Sequence, residues 1–252
     1  MDLSHTFKNL SAKVDSGFDD AVEQLTRHVA VRSVSSQRPD GVRSGAEFVA
    51  AAAKEAGAAD VTVVTENDGL PAVIAHWPAP EGMPTVLLYS HGDVQPTGNL
   101  DEWHTEPFVA TAKGERLYGR GTADDKGGVA AHLAAIRAFD GKPPVGVTLF
   151  VEGEEEIGSA SMEVIIAEHK LASPESKENG VTLFTSTVRR GSPDYLDPRL
   201  NCHSKLHEVL ALLQAIEAGA DEALMLDIHG FVATCNATNF FMVKGSELWT
   251  ST

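Results

Sequence analysis

Three stretches of this chain place an imidazole or carboxylates beside glycines: Ser90-His91-Gly92-Asp93-Val94-Gln95-Pro96, the segment 117–128 with Asp124 and Asp125 adjacent, and the segment 151–159 with Glu152, Glu154, Glu155 and Glu156. A histidine, an aspartate and a glutamate brought together form a hard, mixed nitrogen and oxygen donor set that suits zinc, with manganese or cobalt as substitutes. A carboxylate two residues after a histidine, as Asp93 is after His91, can hold the ring through its other nitrogen and so fix tautomer and direction. Four carboxylates within the five positions 152–156 repel one another unless cations neutralise them. Each cluster alone has a plainer reading: an exposed turn histidine, an N-cap at Asp124 with Asp125 favoured by the helix dipole, a solvated acidic loop. Short motifs misfire singly, and it is the three together that favour a metal site.

These residues need a frame that turns them toward one place. Apolar residues at Ala21, Val22, Leu25 and Val29 follow a helical period over 18–31, and 44–56 passes the same test. Short β-rich runs at 61–65, 72–77, 85–89 and 145–151 are separated by Gly, Pro and Asp punctuation and by a strong helix over 126–139. This alternation predicts an α/β fold, a layered and largely buried sheet with helices on both faces, and puts the three clusters at or just beyond the carboxyl ends of strands, where α/β sheets gather ligands. The pattern changes near Leu171. Residues 172–180 are polar and turn-rich, a new strand is expected over 181–188, and a helix over 206–218. We therefore expect residues 1–171 and 172–252 to be separate pieces, the second an α+β fragment.

Composition narrows the partners. With 36 acidic against 20 basic residues and a formal charge of -16, the chain repels phosphate backbones and anionic membrane surfaces, so neither nucleic acid nor a membrane is expected as a partner. The longest apolar stretches, 129–136 and 209–216, fall far short of the roughly 20 residues that span a bilayer, and the amino-terminal MDLSHTFKNLSAKVDSGF lacks the apolar run of a secretory signal. Two cysteines, Cys202 and Cys235, are too few for a disulfide framework or a zinc ribbon, which makes a cytoplasmic location the expectation. There is no internal repeat or low-complexity run.

Taken in order, SHGDVQP, EWHTEPF, LYGRGTADDKG and EGEEEIGS resemble the motifs of the aminoacylase and dipeptidase family of co-catalytic zinc peptidases. That family includes acetylornithine deacetylase, succinyl-diaminopimelate desuccinylase, carboxypeptidase G and carnosinase-type dipeptidases. The resemblance is greatest to the dipeptidase branch and covers about residues 18–171. It implies a zinc-exopeptidase-like fold, two zinc ions, and hydrolysis of the amide bond of a small peptide or acyl-amino acid, and it leaves homodimerisation open. Carried over residue by residue, it implies that His91 binds one zinc, that Asp124 bridges the two and that Glu156 binds the other. It makes Glu155 the general base, Asp93 the residue that orients His91, and Trp103, Pro107 and Phe108 packing positions. The family's pattern also includes an aspartate from a following strand and a histidine late in a longer chain. Asp194 and Asp197 lie later than that pattern places the aspartate, and nothing in the motifs singles out His203 or His207.

Residues 178–252 resemble a different family, the fold-type-IV pyridoxal-phosphate aminotransferases of branched-chain type. The resemblance is carried by the helix at 206–218, by GADEALMLD at 219–227 and by GFVATCNATNFF at 230–241. A pyridoxal enzyme needs a lysine for the aldehyde and an acid facing the ring nitrogen. Here the lysine position corresponds to Asn201, with Lys205 offset by four, and the acid position to Thr234. The leading expectation is a metal-dependent hydrolase cleaving dipeptides or N-acyl amino acids, incomplete in this chain. The alternatives are an aminotransferase-related fragment and a catalytically inactive fused or truncated module.

Overall fold

In the computed structural model, which describes residues 3–171, 182–190, 206–236, 241–244 and 247–250, strand alternation organises the first of two units. The units are Met1–Ala172 and Ser173–Thr252. The main sheet of the first consists of β1 (Asp60–Val64), β2 (Ala72–Trp77), β3 (Thr85–His91) and β6 (Gly146–Glu152), in the order β1-β2-β6-β3. β2 is antiparallel to β1 and β6, while β3 runs parallel to β6. A small antiparallel hairpin, β4 (Thr111–Lys113) and β5 (Arg116–Tyr118), stands apart from this sheet.

Successive side chains on a strand point to opposite faces. Val73, Ala75 and Trp77 of β2 and Val147, Leu149 and Val151 of β6 therefore project together, onto Val49 and Ala53 of α3 (Pro39–Glu55) and Val129, Leu133 and Ile136 of α4 (Lys126–Ala138). The intervening Ala72, Ile74 and Phe150 project the other way, with Val64, onto Ile165 of α5 (Met162–Glu168). Helices thus cover both faces. β6 is buried along its whole length, and its successive Leu149, Phe150 and Val151 supply apolar side chains to both faces. Leu149 is fully buried at the centre of this core. Leu149→Ala is expected to lower stability by about 2–5 kcal/mol, read from the denaturant midpoint at unchanged slope.

The expectation of a largely buried sheet holds for β2 and β6 but not for β1 and β3, the edge strands among the described residues: only Val64 of β1 is buried, and Val86, Leu87 and Tyr89 of β3 are 41%, 43% and 43% exposed. α1 (Leu3–Ser16) and α2 (Phe18–Ala30) precede α3, which starts five residues earlier than its apolar period suggests because Pro39 sits at the first helical position, where its missing N–H costs nothing. α5 and the β4–β5 hairpin were too short to carry a period.

In the second unit β7 (Leu183–Arg189) pairs parallel with β8 (Glu222–Leu226), and β9 (Val232–Cys235) pairs antiparallel with β8. Parallel neighbours need a crossover. α6 (Leu206–Glu217) lies between them in the chain and packs Ala211 and Ala215 against Ala223 and Met225. The strand expected over 181–188 and the helix expected over 206–218 correspond to β7 and α6. β10 (Phe241–Lys244) and β11 (Glu247–Thr250) form a separate hairpin. Among the described residues no helix is long and apolar enough to cross a membrane.

Candidate metal centre

Parallel pairing of β3 with β6 builds the site. His91 stands directly opposite Glu152, and Gly92 N–H donates to the Glu152 carbonyl at 2.8 Å, so the loops leaving the two strands run side by side. The segment that follows His91 is thereby set against the one that carries Glu154, Glu155 and Glu156. The acidic pair arrives differently from the expectation: Asp124 and Asp125 do not leave a strand of the main sheet but lie between β5 and the start of α4. Asp125 is the N-cap of α4, yet its side chain makes no cap bond. Its Oδ2 instead accepts the backbone N–H of His91 at 3.3 Å, which ties the helix start to the end of β3. Gly128 leaves room for this, since a Cβ there would lie 2.2 Å from Asp125 Oδ1. The Asp124–Asp125 peptide is cis.

Donor atoms of His91, Glu155 and Glu156 all lie within 4.8 Å of one another. His91 Nε2 is 3.0 Å from Asp124 Oδ1 and 3.8 Å from Glu155 Oε2. The other ring nitrogen, Nδ1, faces the Asp93 carbonyl at 3.1 Å and the Asp93 carboxylate at 3.4 Å. Nε2 is therefore the nitrogen turned toward the acidic cluster. Asp93 is fully buried, and its Oδ2 also accepts the backbone N–H of Glu156 at 3.1 Å, so one carboxylate addresses both the imidazole and the neighbouring acidic turn.

The electrostatics follow from this crowding. Burial pulls the His91 imidazolium down, but Asp93, with Glu155 and Asp125 behind it, outweighs burial and lifts the group to about 9. Glu155 is an exposed side chain, and the water it does lose raises its carboxyl. The His91 charge opposes that rise, while Glu156, Asp124 and Asp93 add to it. An imidazole nitrogen, His91 Nε2, facing the carboxylates of Asp124 and Glu155, with Glu156 in the same group, fits a divalent cation by donor chemistry.

The residues around the site are held by partners distant in the chain. Glu154, one of the three consecutive glutamates, is buried and turned away: Oε1 accepts Leu70 N–H at 2.7 Å and Oε2 accepts Ser161 N–H at 2.9 Å. Lys126, which opens α4, is fully buried and donates to the carbonyls of His28 at 3.0 Å and Val31 at 2.6 Å, at the negative end of α2. Burial brings its ammonium down to about 7 against the opposing pull of Asp93. Tyr89 donates to Glu152, whose carboxyl burial raises. The packing positions lie on the preceding loop: Trp103 Nε1 donates to the Thr97 carbonyl at 2.8 Å, and the Arg120 guanidinium lies 5.3 Å from the centre of the Trp103 ring. Pro107 is buried and its carbonyl accepts Arg120 N–H at 2.6 Å, while Phe108 lies under Arg32 at 5.2 Å. Asp194, Asp197, Asn201, His203 and Lys205 lie outside the described residues. His207 is on α6, with Nε2 3.9 Å from Glu208 Oε1, and Thr234 is buried in β9.

A layered α/β sheet that collects a histidine and several carboxylates where two parallel strands end places a metal-type donor set where α/β sheets gather ligands. The chain matches the sequence profile of Peptidase family M20/M25/M40 over residues 87–225 and belongs to that family. It is 34% identical over 169 residues to the Cys-Gly metallodipeptidase dug1 of Schizosaccharomyces pombe, a match covering 61% of this chain and 35% of that protein. To the human Beta-Ala-His dipeptidase it is 38% identical over 103 residues, 40% of this chain and 20% of that one. A solved structure of the dipeptidase Dug1p from Saccharomyces cerevisiae superposes with a TM-score of 0.62 at 26% identity, covering 74% of this chain and 43% of that chain. The chain thus spans 20% and 35% of the length of these two curated dipeptidases. A further 73-residue match, covering 29% of this chain and 13% of the relative, is 42% identical to the branched-chain-amino-acid aminotransferase-like protein 2 of Arabidopsis thaliana.

Proposed function

We propose that this chain carries the metal-binding part of a zinc-dependent cytoplasmic hydrolase that cleaves the amide bond of dipeptides or N-acyl amino acids. The convergence of His91, Asp124, Glu155 and Glu156 at the ends of β3 and β6 and the start of α4 carries this reading. Dipeptides come first among substrates because the curated relatives are Cys-Gly and Beta-Ala-His dipeptidases. His91 and Glu156 would hold one ion each, with Asp124 between the two; manganese or cobalt would substitute for zinc. When bound, the metal supplies Lewis-acid polarisation of the scissile carbonyl. Asp93 holds the imidazole from its Nδ1 side, keeping Nε2 turned to the site. Glu155, exposed and with a raised carboxyl, takes a proton from the attacking water and delivers one to the leaving amine. In this reading residues 1–171 are the hydrolase piece and 172–252 the second, aminotransferase-like piece.

Equilibrium dialysis of the purified chain against zinc tests the proposal. Stoichiometric zinc is expected, together with its loss in His91→Ala, and chromatographic release of free amino acids then ranks Cys-Gly and β-Ala-His against an N-acetyl amino acid. Wild type binding no more zinc than His91→Ala would overturn the reading. The Arabidopsis match favours a second reading, an aminotransferase-related piece. A Schiff-base absorbance band on adding pyridoxal phosphate would support it.

A further inference from the structure

Gln95 stands four residues after His91 in the loop that leaves β3, and it is exposed. Its side chain nonetheless reaches across to the acidic turn after β6. The Gln95 amide donates to Glu156 Oε2 at 2.9 Å and to the Glu156 carbonyl at 3.1 Å, and Gln95 backbone N–H donates to Glu156 Oε1 at 3.2 Å. Asp93 Oδ2 accepts the one remaining polar group of that residue, its backbone N–H. Every hydrogen-bonding atom of Glu156 is thus engaged by the two residues Asp93 and Gln95.

A free glutamate side chain carries much rotamer entropy, which binding a cation must remove. A side chain already held at both oxygens has lost most of that freedom before the cation arrives. Each carboxylate oxygen offers two acceptor directions, so one donor on each leaves one direction open on each. We infer that Gln95 is a positioning residue, holding the Glu156 carboxylate in its metal-facing conformation, and that the side-chain amide thereby sets metal affinity. The inference rests on the reading of Glu156 as a metal ligand. Glutamine suits this place because its amide donates hydrogen bonds, whereas glutamate would set a second negative charge against Glu156.

Gln95→Met keeps the length and the backbone donor but removes the amide, and Gln95→Ala removes the side chain. Both are expected to weaken zinc binding by about 10- to 100-fold, measured by competition with a chelator, and to change the visible absorption bands of the cobalt(II)-loaded protein. The melting temperature of the metal-free protein is expected to stay at the wild-type value in both. Wild-type affinity and cobalt spectrum in Gln95→Met would overturn the inference, as would affinity loss only in step with a lowered metal-free melting temperature. Glu156→Ala separates the two levels of the argument. If it loses zinc while Gln95→Met does not, the positioning role alone fails; if it keeps wild-type affinity, the ligand reading fails and takes the positioning role with it.

Discussion

Glu155→Gln is expected to reduce peptide hydrolysis by the zinc-loaded protein about 10²- to 10⁴-fold while zinc content stays near the wild-type level. Glutamine keeps the size of the side chain and one acceptor oxygen but cannot take up the proton of the attacking water. The geometry makes the division between the two glutamates a real question, because the donor atoms of Glu155 and Glu156 fall in one group with His91. What separates them is their setting. Glu156 is held at both oxygens by Gln95, whereas the exposed Glu155 places Oε2 3.8 Å from His91 Nε2. A held carboxylate suits a fixed ligand, and a reachable one suits proton transfer. Glu156→Ala is accordingly expected to lose metal first and activity with it. Equal loss of zinc in the Glu155 and Glu156 variants, by elemental analysis, would show that base and ligand are wrongly divided.

Zinc affinity is expected to rise about 100-fold between pH 6 and pH 8, a tenfold gain per unit from displacing one proton. The sign comes from His91, which lies at about 9 in the metal-free protein because its carboxylate neighbours outweigh the effect of burial. A metal takes only the neutral ring. Below about 9 the ring is protonated, binding must expel that proton, and affinity falls with pH; above it the gain levels off. Calorimetry at pH 7 in buffers of different ionisation enthalpy should count about one proton released per zinc bound at His91. In His91→Ala both the proton release and most of the affinity should disappear. A flat profile from pH 6 to pH 8 in the wild type would mean that the ring is already neutral.

The parts of this protein that the sequence determined unaided are those governed by neighbours a few residues apart. β2 runs over the six residues read from the β-rich pattern, and the α4 helix starts at Lys126 as its apolar period requires, because both patterns arise from side chains meeting one surface at a fixed repeat. The chemical types at the site were legible for the same reason: His91, Asp124, Glu155 and Glu156 lie in short motifs whose composition can be read locally. How those motifs meet was decided only by the tertiary structure. Gln95 reaches a glutamate 61 positions away, Glu154 holds a backbone N–H at a separation of 84, and Lys126 holds a carbonyl at a separation of 98. None of these pairs has a period or a spacing rule. They exist because β3 and β6 pair in parallel with His91 opposite Glu152, and because the start of α4 is tied to β3 through Asp125. A one-residue slip in that pairing would turn every side chain of β3 to the other face and take the imidazole away from the carboxylates.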